Sequence, residues 1–376
     1  MKKALLILTL ESPVAVSNAA LYGAILEARK SSFIEGIYGA KRGLEGFLND
    51  DIVDLEKEEK EEIEKLPYLP GSVLGTSSTV LSYNDCTREM ETIKKVIDRL
   101  NIGYFLLLGG LKAAELALSL STSFLLGGVE ASVLSLPLSE ENAVPMSDHS
   151  LGYPSAAMRL LSSVRSIVDV ARSIYEKKVY LLAVEGASSG YLSSSAFLLP
   201  EAARPDLIYP LESEAKDEDV LAAVKETLSS KGQAIVLADR GFADRVHLDQ
   251  LSFEAPLETI PLSYFHRVGP EGLSSLDVWE AESAARLAVL SFKNGESGKM
   301  ASIVREKDAP YESSLTLVPL GQAVGSRRAF PKEWIVSPSE CSDELRAYLS
   351  PLVSGEASAP STLPLKAAPN LLYKKV

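Results

Sequence analysis

The chain has 376 residues, of which 46% are hydrophobic, so it is long and apolar enough to bury one or two large cores. Its 38 basic and 51 acidic residues give a net charge of −13, which argues against a nucleic-acid-binding protein because those present clustered positive charge. Two cysteines and three histidines exclude a disulfide framework, argue against a zinc enzyme and make a reducing cytoplasm the expected compartment.

The first apolar segment, residues 4–10, follows two lysines and therefore resembles the start of a signal peptide. It ends at Glu11, which is too early for a signal sequence and favours a buried first strand. No other apolar stretch approaches the ~20 residues that cross a bilayer. We therefore expect no membrane association.

Short apolar runs then alternate with longer helical patterns along the chain. The runs lack polar alternation, which is typical of strands buried on both faces of a sheet. The clearest helical pattern covers 156–178, where apolar residues recur with a 3.6-residue period. The alternation predicts a doubly wound α/β architecture. The predicted strands are 4–10, 34–38, 104–108, 133–136, 179–184, 234–237 and 315–318.

Two segments have unusual compositions. Residues 56–65 contain six Glu and three Lys, which predicts a solvated helix with ion pairs between successive turns. Beyond Leu349 the chain is rich in Ser, Ala and Pro, which predicts an irregular tail. Its leucines are apolar enough for the tail to dock on the body or on a partner subunit.

Several motifs in one consistent order resemble the phosphofructokinase family, especially its pyrophosphate-dependent branch. The segment 36–54, GIYGAKRGLEGFLNDDIVD, is similar to the family's second strand and following loop. Further matches are LGTS at 74–77, the glycine pair at 109–110, DHSLG at 148–152, GYL at 190–192, IYPLE at 208–212 and LSYFHR at 262–267. Together they cover residues 3 to about 345, and several matches in one order are more specific than any single one.

The resemblance implies two doubly wound α/β lobes with mainly parallel sheets. The first lobe, which binds the phosphoryl donor in the family, would comprise residues 1–142 and about 263–310. The second, which binds the sugar phosphate, would comprise residues 143–262 and about 311–345, followed by the irregular tail 346–376. Family members share substrate sites between subunits, so the resemblance also implies a homo-oligomer, dimeric or tetrameric, or a hetero-oligomer with an active paralogue.

The loop after the first strand departs from the family pattern. Where the family has a pair of glycines that lets backbone amides approach a phosphate, this chain has Glu11 and Ser12. A carboxylate repels phosphate. Glu11 is either tolerated where nothing binds or a new functional acid. A family arginine that contacts phosphate is replaced nearby by Ser78.

The segment that holds the donor's metal in the family is also altered. Gly109 and Gly110 are kept at the end of a predicted strand, but the aspartate that would hold Mg²⁺ is replaced by Leu111. Leucine cannot bind a metal. The next residue, Lys112, would either attract phosphate as a point charge or remain solvated.

The position of the family's catalytic base is taken by Glu141. Its extra methylene, compared with aspartate, displaces the carboxylate, and such a displacement costs roughly 10²-fold in rate where geometry is strict. The segments Ser188-Ser189-Gly190 and Ser193-Ser194-Ser195 are interpreted as turns and helix caps, since no histidine or lysine pairs with their serines in the sequence.

Residues on the sugar side are a mixture of matches and losses. Glu212, Tyr264 and Arg267 match family substrate-binding residues. Lys178 stands where an arginine usually reaches across the subunit boundary, so it keeps the charge but loses the bidentate fork. Glu258 reverses the charge of another expected arginine.

These replacements affect several separate requirements of phosphoryl transfer. Our leading hypothesis is a phosphofructokinase-like protein that lacks efficient 6-phosphofructokinase activity and acts as a non-catalytic or regulatory homologue, with a sugar phosphate as its possible ligand. An alternative is an active pyrophosphate-dependent enzyme that phosphorylates fructose 6-phosphate with Glu141 as base. A second alternative is a module that binds another small molecule in the interlobe cleft. We expect no metal or cofactor, with Mg²⁺ and either pyrophosphate or ATP required only if the protein is active.

Overall fold

Two large β-sheets and one small two-stranded sheet organise the chain in a computed structural model that describes residues 2–79, 81–174, 176–263 and 273–353. The first part of the chain forms β1 (Lys3–Thr9), α1 (Ser17–Lys30), β2 (Ile34–Ala40), α2 (Gly43–Leu48), β3 (Ile52–Asp54), α3 (Lys60–Ile63), α4 (Tyr83–Arg88), α5 (Met90–Leu100), β4 (Ile102–Gly109), α6 (Leu111–Leu126) and β5 (Ser132–Pro137). No described helix is both long enough and apolar enough to cross a membrane.

The chain then crosses to the second lobe and returns. The second lobe contains α7 (Tyr153–Ser173), β6 (Val179–Val184), α8 (Tyr191–Ser194), β7 (Leu207–Tyr209), α9 (Asp217–Lys231), β8 (Ala234–Asp239), α10 (Arg240–Arg245) and β9 (Leu257–Leu262). The remaining elements are α11 (Ser275–Phe292), β10 (Lys299–Asp308), β11 (Tyr311–Pro319), α12 (Leu320–Ala323), β12 (Ile335–Ser337), β13 (Glu340–Cys341) and α13 (Asp343–Leu349).

The first lobe is built on a seven-stranded sheet in the order β11-β10-β5-β4-β1-β2-β3. Its five central strands are parallel, whereas β3 and β11 pair antiparallel at the two edges. Side chains of β1 alternate between the two faces: Leu5 and Ile7 pack with α1 and α11, while Leu6 and Leu8 pack with α6. Burial on both faces is why β1 lacks polar alternation.

The second lobe is built on a four-stranded parallel sheet in the order β7-β8-β6-β9. One face packs against α7 and α13, and the other packs against α9 and α10. The predicted fold class, two doubly wound α/β lobes with mainly parallel sheets, is therefore confirmed.

Buried polar side chains join the two lobes at the entrance of α7. Asp277 of α11 accepts hydrogen bonds from the Gly152 amide (2.8 Å), the Ser155 amide (3.1 Å) and the Ser155 hydroxyl (2.6 Å). Fully buried His149 bridges Asp148 (2.9 Å) and Glu280 (2.8 Å). A helix of the first lobe thus caps and holds the first long helix of the second.

The boundary of the second lobe differs from the sequence-based prediction. The family resemblance predicts that residues from about 311 belong to the second lobe. In the structure, β11 forms a hairpin with β10 and lies at the edge of the first sheet. Its side chains alternate between half-buried and exposed, so the run 315–318 belongs to an edge strand rather than to a strand covered on both faces. Short-range pairing with β10 decides its place.

Three local predictions also differ in extent. The helix predicted for 156–178 begins at Tyr153 and ends at Ser173. In the acidic run 56–65 only Lys60–Ile63 are helical. The predicted tail begins too early, because Arg346 to Leu349 complete α13, and Tyr348, Leu352 and Val353 are buried against the second lobe. Residues 354–376 lie outside the described part of the chain.

Candidate functional site

The carboxyl ends of β1, β4 and β5 open onto one cleft of about 170 Å³, which the second lobe closes from the opposite side. Parallel strands place their carboxyl ends at one sheet edge, and ligands of open α/β sheets bind there. Half of the candidate site residues named from the sequence line this cleft, and Gly109 and Glu212 are not among its lining residues. It is lined by Glu11, Ser12, Gly110, Leu111, Lys112, Leu138, Ser139, Glu140, Glu141, Ala143, Ser188 and Arg327.

Glu11 lies in the loop after β1, and its backbone is in the left-handed region (φ +64°). This conformation favours glycine, and a longer side chain adopts it at a cost of about 1 kcal/mol. The Glu11 amide donates to the Ser77 carbonyl (2.9 Å), which fixes the loop. The turn therefore keeps a glycine-like geometry although its residue carries a carboxylate.

The Glu11 carboxylate reaches the amino terminus of α6. Its Oε2 accepts a hydrogen bond from the Ala113 amide (3.3 Å), and a Cβ added to Gly110 would lie 3.0 Å from the same oxygen. Burial raises the pKa of Glu11, while the backbone amides of Ala113, Lys112 and Gly110 lower it. The partial positive charge of the helix terminus stabilises an anion, and here the chain supplies that anion itself.

The residues beside this helix terminus do not fit a magnesium site. Leu111 provides only hydrocarbon at the first position of α6, and Glu11 is already hydrogen-bonded to the backbone. Among the residues described, no group of three His, Cys, Asp or Glu side chains is arranged to hold a metal ion. Mg²⁺ prefers several oxygen ligands in octahedral geometry, and this edge of the cleft does not offer them.

Glu141 lies on the loop after β5 and is bound by the second lobe. Its Oε2 accepts a hydrogen bond from the Ser188 amide (3.0 Å) and contacts the Ser188 hydroxyl, while its backbone carbonyl accepts from the Ser189 hydroxyl (2.9 Å). These donors hold the carboxylate in place across the interlobe gap. Both of these bonds fall on Oε2, and a carboxylate has about four acceptor sites on its two oxygens, so Oε1 can still accept a proton.

Two loop segments of the second lobe, one after β6 and one after β7, are hydrogen-bonded to each other. Glu212, after β7, accepts a hydrogen bond from the Gly190 amide through its Oε2 (2.9 Å), and burial raises its pKa. Behind it, Asp239 at the end of β8 accepts from the Leu211 amide (2.8 Å) and the Ser193 hydroxyl (2.7 Å). Glu212 is therefore held by backbone rather than by a cation.

Comparison with known proteins now places this arrangement in a family. The family model described as "Phosphofructokinase" matches residues 4–264. The chain belongs to the phosphofructokinase family. It is 26% identical to a protein of Halomonas elongata named pyrophosphate–fructose 6-phosphate 1-phosphotransferase, over 92% of this chain and 90% of that protein. The resemblance to the pyrophosphate-dependent branch is thereby confirmed.

Two further relatives extend the comparison. A protein of Alkalicoccus urumqiensis named sulfofructose kinase is 25% identical over 93% of this chain and 99% of its own length. The crystal structure of a pyrophosphate-dependent phosphofructokinase from Nitrosospira multiformis superposes with a TM-score of 0.84, at 24% identity, over 97% of this chain and 95% of that chain. The fold is thus shared along nearly the whole length of the chain.

Some residues that family resemblance selected lie outside the cleft. Ser78 is exposed and does not line it. Lys178 lies immediately before β6, at the opposite end of the second sheet from Glu212, where it forms an ion pair with Glu258 of β9. Tyr264 and Arg267 are outside the described residues. Lys178 therefore lies away from the cleft of its own chain.

Sequence reasoning missed two contributors to the cleft. Ser188, interpreted only as a turn residue, binds Glu141 through its amide and hydroxyl. Arg327 adds a second cation, besides Lys112, to the lining of the cleft. The adjacent pair Arg327 and Arg328 is visible in the sequence, but other basic pairs such as Lys94 and Lys95 look the same there. Nothing in the sequence indicated which loop Ser188 would meet.

Proposed function

We propose that this member of the phosphofructokinase family lacks efficient 6-phosphofructokinase activity and acts as a non-catalytic or regulatory homologue. The observation that carries the proposal is the Glu11 carboxylate, which is hydrogen-bonded at the amino terminus of α6. That terminus and the preceding glycine pair form the place where the family resemblance locates the phosphoryl donor. An internal carboxylate there excludes a polyphosphate both by its volume and by its charge.

The surrounding replacements support the same proposal. Leu111 stands beside Glu11 at the position of the metal ligand, so a donor would meet neither the metal nor free backbone amides to offset its lost hydration. Glu141 is longer than the expected base and is bound by Ser188. Each replacement removes a different requirement, and losses in residues that act as a unit are not repaired one at a time.

A second candidate is an active pyrophosphate-dependent enzyme that phosphorylates a ketose phosphate or a similar acceptor. It is favoured by the convergence of Glu141, Lys112 and Arg327 on one cleft and by relatives that cover nearly the whole chain and are named as kinases of fructose 6-phosphate and sulfofructose. In that case Glu141 would accept the proton of the acceptor hydroxyl through Oε1, while Oε2 stays hydrogen-bonded to Ser188, and the two cations would contact the donor. A third candidate is a module that binds an unrelated small molecule in the cleft.

The deciding experiment supplies the purified protein with fructose 6-phosphate or sulfofructose, Mg²⁺, and either pyrophosphate or ATP. We expect no turnover above a blank without enzyme. The Glu141→Gln variant is the matched control, since it removes the candidate base without changing the size of the side chain. Turnover that the unmodified protein shows and the variant loses would reject the non-catalytic function and favour the second candidate.

Ligand binding without turnover is tested separately by thermal unfolding. A sugar phosphate that raises the melting temperature would support a regulatory homologue that retains the sugar site, because a ligand that binds only the folded state stabilises it. Stabilisation by a compound other than a sugar phosphate would favour the third candidate.

A further inference from the structure

Asp239 is a buried aspartate at the carboxyl end of β8, with no exposed surface. It directly precedes α10, where an aspartate ordinarily caps the helix, yet its side chain makes no capping hydrogen bond. Instead its Oδ2 accepts from the Leu211 amide (2.8 Å) and the Ser193 hydroxyl (2.7 Å). Its Oδ1 has no hydrogen-bond partner within the described residues.

The two partners of Asp239 belong to two segments of the second lobe, the first of which begins at Ser188, a residue that lines the cleft. We call residues 188–193 and 211–212 the acceptor wall. The two segments are joined directly by the hydrogen bond from the Gly190 amide to Glu212 (2.9 Å). The Ser193 hydroxyl lies between Asp239 (2.7 Å) and the Gly190 carbonyl (3.3 Å). Asp239 therefore holds both segments from behind.

The same wall continues to the candidate base. Residues 188 and 189 bind the side chain and the backbone carbonyl of Glu141. Hydrogen bonds, together with the covalent backbone of residues 188–193, thus connect Asp239 to the loop after β5 in the first lobe. Arg245 also donates to the Leu211 carbonyl (3.1 Å) and so helps to hold the 211–212 segment in place.

The charge state of Asp239 suits this supporting role. Burial, together with the nearby carboxylates of Glu212 and Glu141, raises its pKa to about 8 against the lowering effect of the hydrogen bonds from Ser193 and Leu211. Asp239 is therefore mainly protonated at neutral pH. A neutral acid keeps its two hydrogen bonds without adding a third negative charge behind the wall.

We propose that Asp239 is the positioning residue of the acceptor wall, which fixes Glu212 and the 188–193 segment for binding of a polyhydroxylated ligand such as a sugar. It acts through Leu211 and Ser193 and does not touch the ligand. The assignment to a sugar rests on the proposed function, whereas the support of the wall does not.

The test compares Asp239→Asn and Asp239→Ala with the unmodified protein. Asparagine reproduces a neutral acid, since its Oδ1 accepts the same two hydrogen bonds, whereas alanine leaves the Leu211 amide unpaired and leaves the Ser193 hydroxyl with only the Gly190 carbonyl. We expect hydrogen exchange at the Gly190 and Leu211 amides to accelerate at least tenfold in Asp239→Ala and to stay within about twofold in Asp239→Asn. Asp277→Asn is the matched control, because Asp277 is also fully buried but supports α7.

A pH profile distinguishes positioning by a protonated acid from mere filling of space. The pKa of Asp239 is raised from 3.8 to about 8 on folding, so the folded protein holds a proton that the unfolded chain lacks, and stability falls as pH rises through that window. The slope of the free energy of unfolding against pH counts the protons taken up on folding. Between pH 6.5 and 7.5, Asp239→Asn should therefore reduce this slope by the equivalent of about one proton. Asp277→Asn should not change it there, because the pKa of Asp277 is raised only to about 6.

Fructose 6-phosphate is the ligand probe. Its affinity, measured by calorimetry, should fall at least tenfold in Asp239→Ala and remain within about twofold in Asp239→Asn. If Asp239→Ala leaves exchange at Gly190 and Leu211 unchanged, or if Asp239→Asn leaves the pH slope unchanged, the proposal is overturned. If the unmodified protein binds no sugar phosphate, the assignment of the wall to a sugar fails, while the exchange and pH measurements still decide whether Asp239 positions it.

Discussion

Replacing Glu11 with glycine should create an anion-binding site at the amino terminus of α6. The substitution removes the carboxylate that accepts from Ala113 and lies 3.0 Å from the position of a Cβ on Gly110. It also places glycine at φ +64°, where it relieves about 1 kcal/mol of strain. The lost hydrogen bond and helix-dipole interaction amount to about 1 kcal/mol. The free energy of unfolding should therefore change by less than about 1 kcal/mol.

The gain in anion affinity follows from the repulsion that disappears. A carboxylate about 4 Å from a phosphoryl charge is repelled by about 4 kcal/mol at an effective dielectric constant near 20. The protein avoids this repulsion if Glu11 binds a proton. Because burial raises the pKa of Glu11 above its ordinary value of 4.5, that proton costs less than about 3.4 kcal/mol at pH 7. Protonation of Glu11 costs less than the repulsion, so this cost of about 3.4 kcal/mol limits the gain in pyrophosphate affinity to about 300-fold.

The assay is calorimetric titration with pyrophosphate, with and without Mg²⁺, at pH 6 and pH 8. Glu11→Gly should bind pyrophosphate more tightly than the unmodified protein, and the difference should be larger at pH 8, where protonation of Glu11 costs more. Glu11→Gln separates charge from volume. Glu115→Gln, an exposed residue of the same helix, is the control for net charge.

Full donor binding should require more than this one change. We expect Mg²⁺-dependent binding only when Glu11→Gly, Ser12→Gly, Leu111→Asp and Glu141→Asp are combined, since donor binding needs backbone, metal ligand and base together. Micromolar, Mg²⁺-dependent pyrophosphate binding by the unmodified protein would refute the reasoning. So would an equal gain in Glu115→Gln.

Three other predictions concern stability and assembly. The pKa of His149 is raised from 6.5 to about 9 on folding, so stability should fall by about 3 kcal/mol as pH rises across that window; chemical denaturation should show this loss, and His149→Gln should abolish it. Gly23→Ala should destabilise the first lobe by about 1–3 kcal/mol, because its Cβ would lie 2.3 Å from the Glu282 carbonyl of α11; an unchanged denaturation midpoint would contradict this packing. We also expect a homo-oligomer in which the Lys178–Glu258 pair lies near a neighbouring chain, and light scattering that gives 40.5 kDa at micromolar concentration would contradict it.

Patterns local in the chain were enough to predict an α/β architecture with buried strands, and the division into two lobes came from the family resemblance. Each buried parallel strand, such as Val179–Val184, is a short apolar run because both of its faces meet helices. The order of family motifs then identified two lobes and located Glu11, Leu111 and Glu141 at strand ends. The prediction of strand burial failed where the local pattern is ambiguous. The apolar run in β11 fits a strand buried on both faces as well as it fits the half-exposed edge strand that the structure has.

Only the tertiary structure decided what the altered residues do. The sequence left Glu11 as either a tolerated residue or a functional acid; contact with the Ala113 amide, 102 positions away, shows that its carboxylate binds the start of α6. In the same way Ser188 meets Glu141 across the interlobe gap, and Asp239 turns away from its own helix toward Leu211. Such partners are brought together by the packing of separate strands and lobes, which no local periodicity encodes.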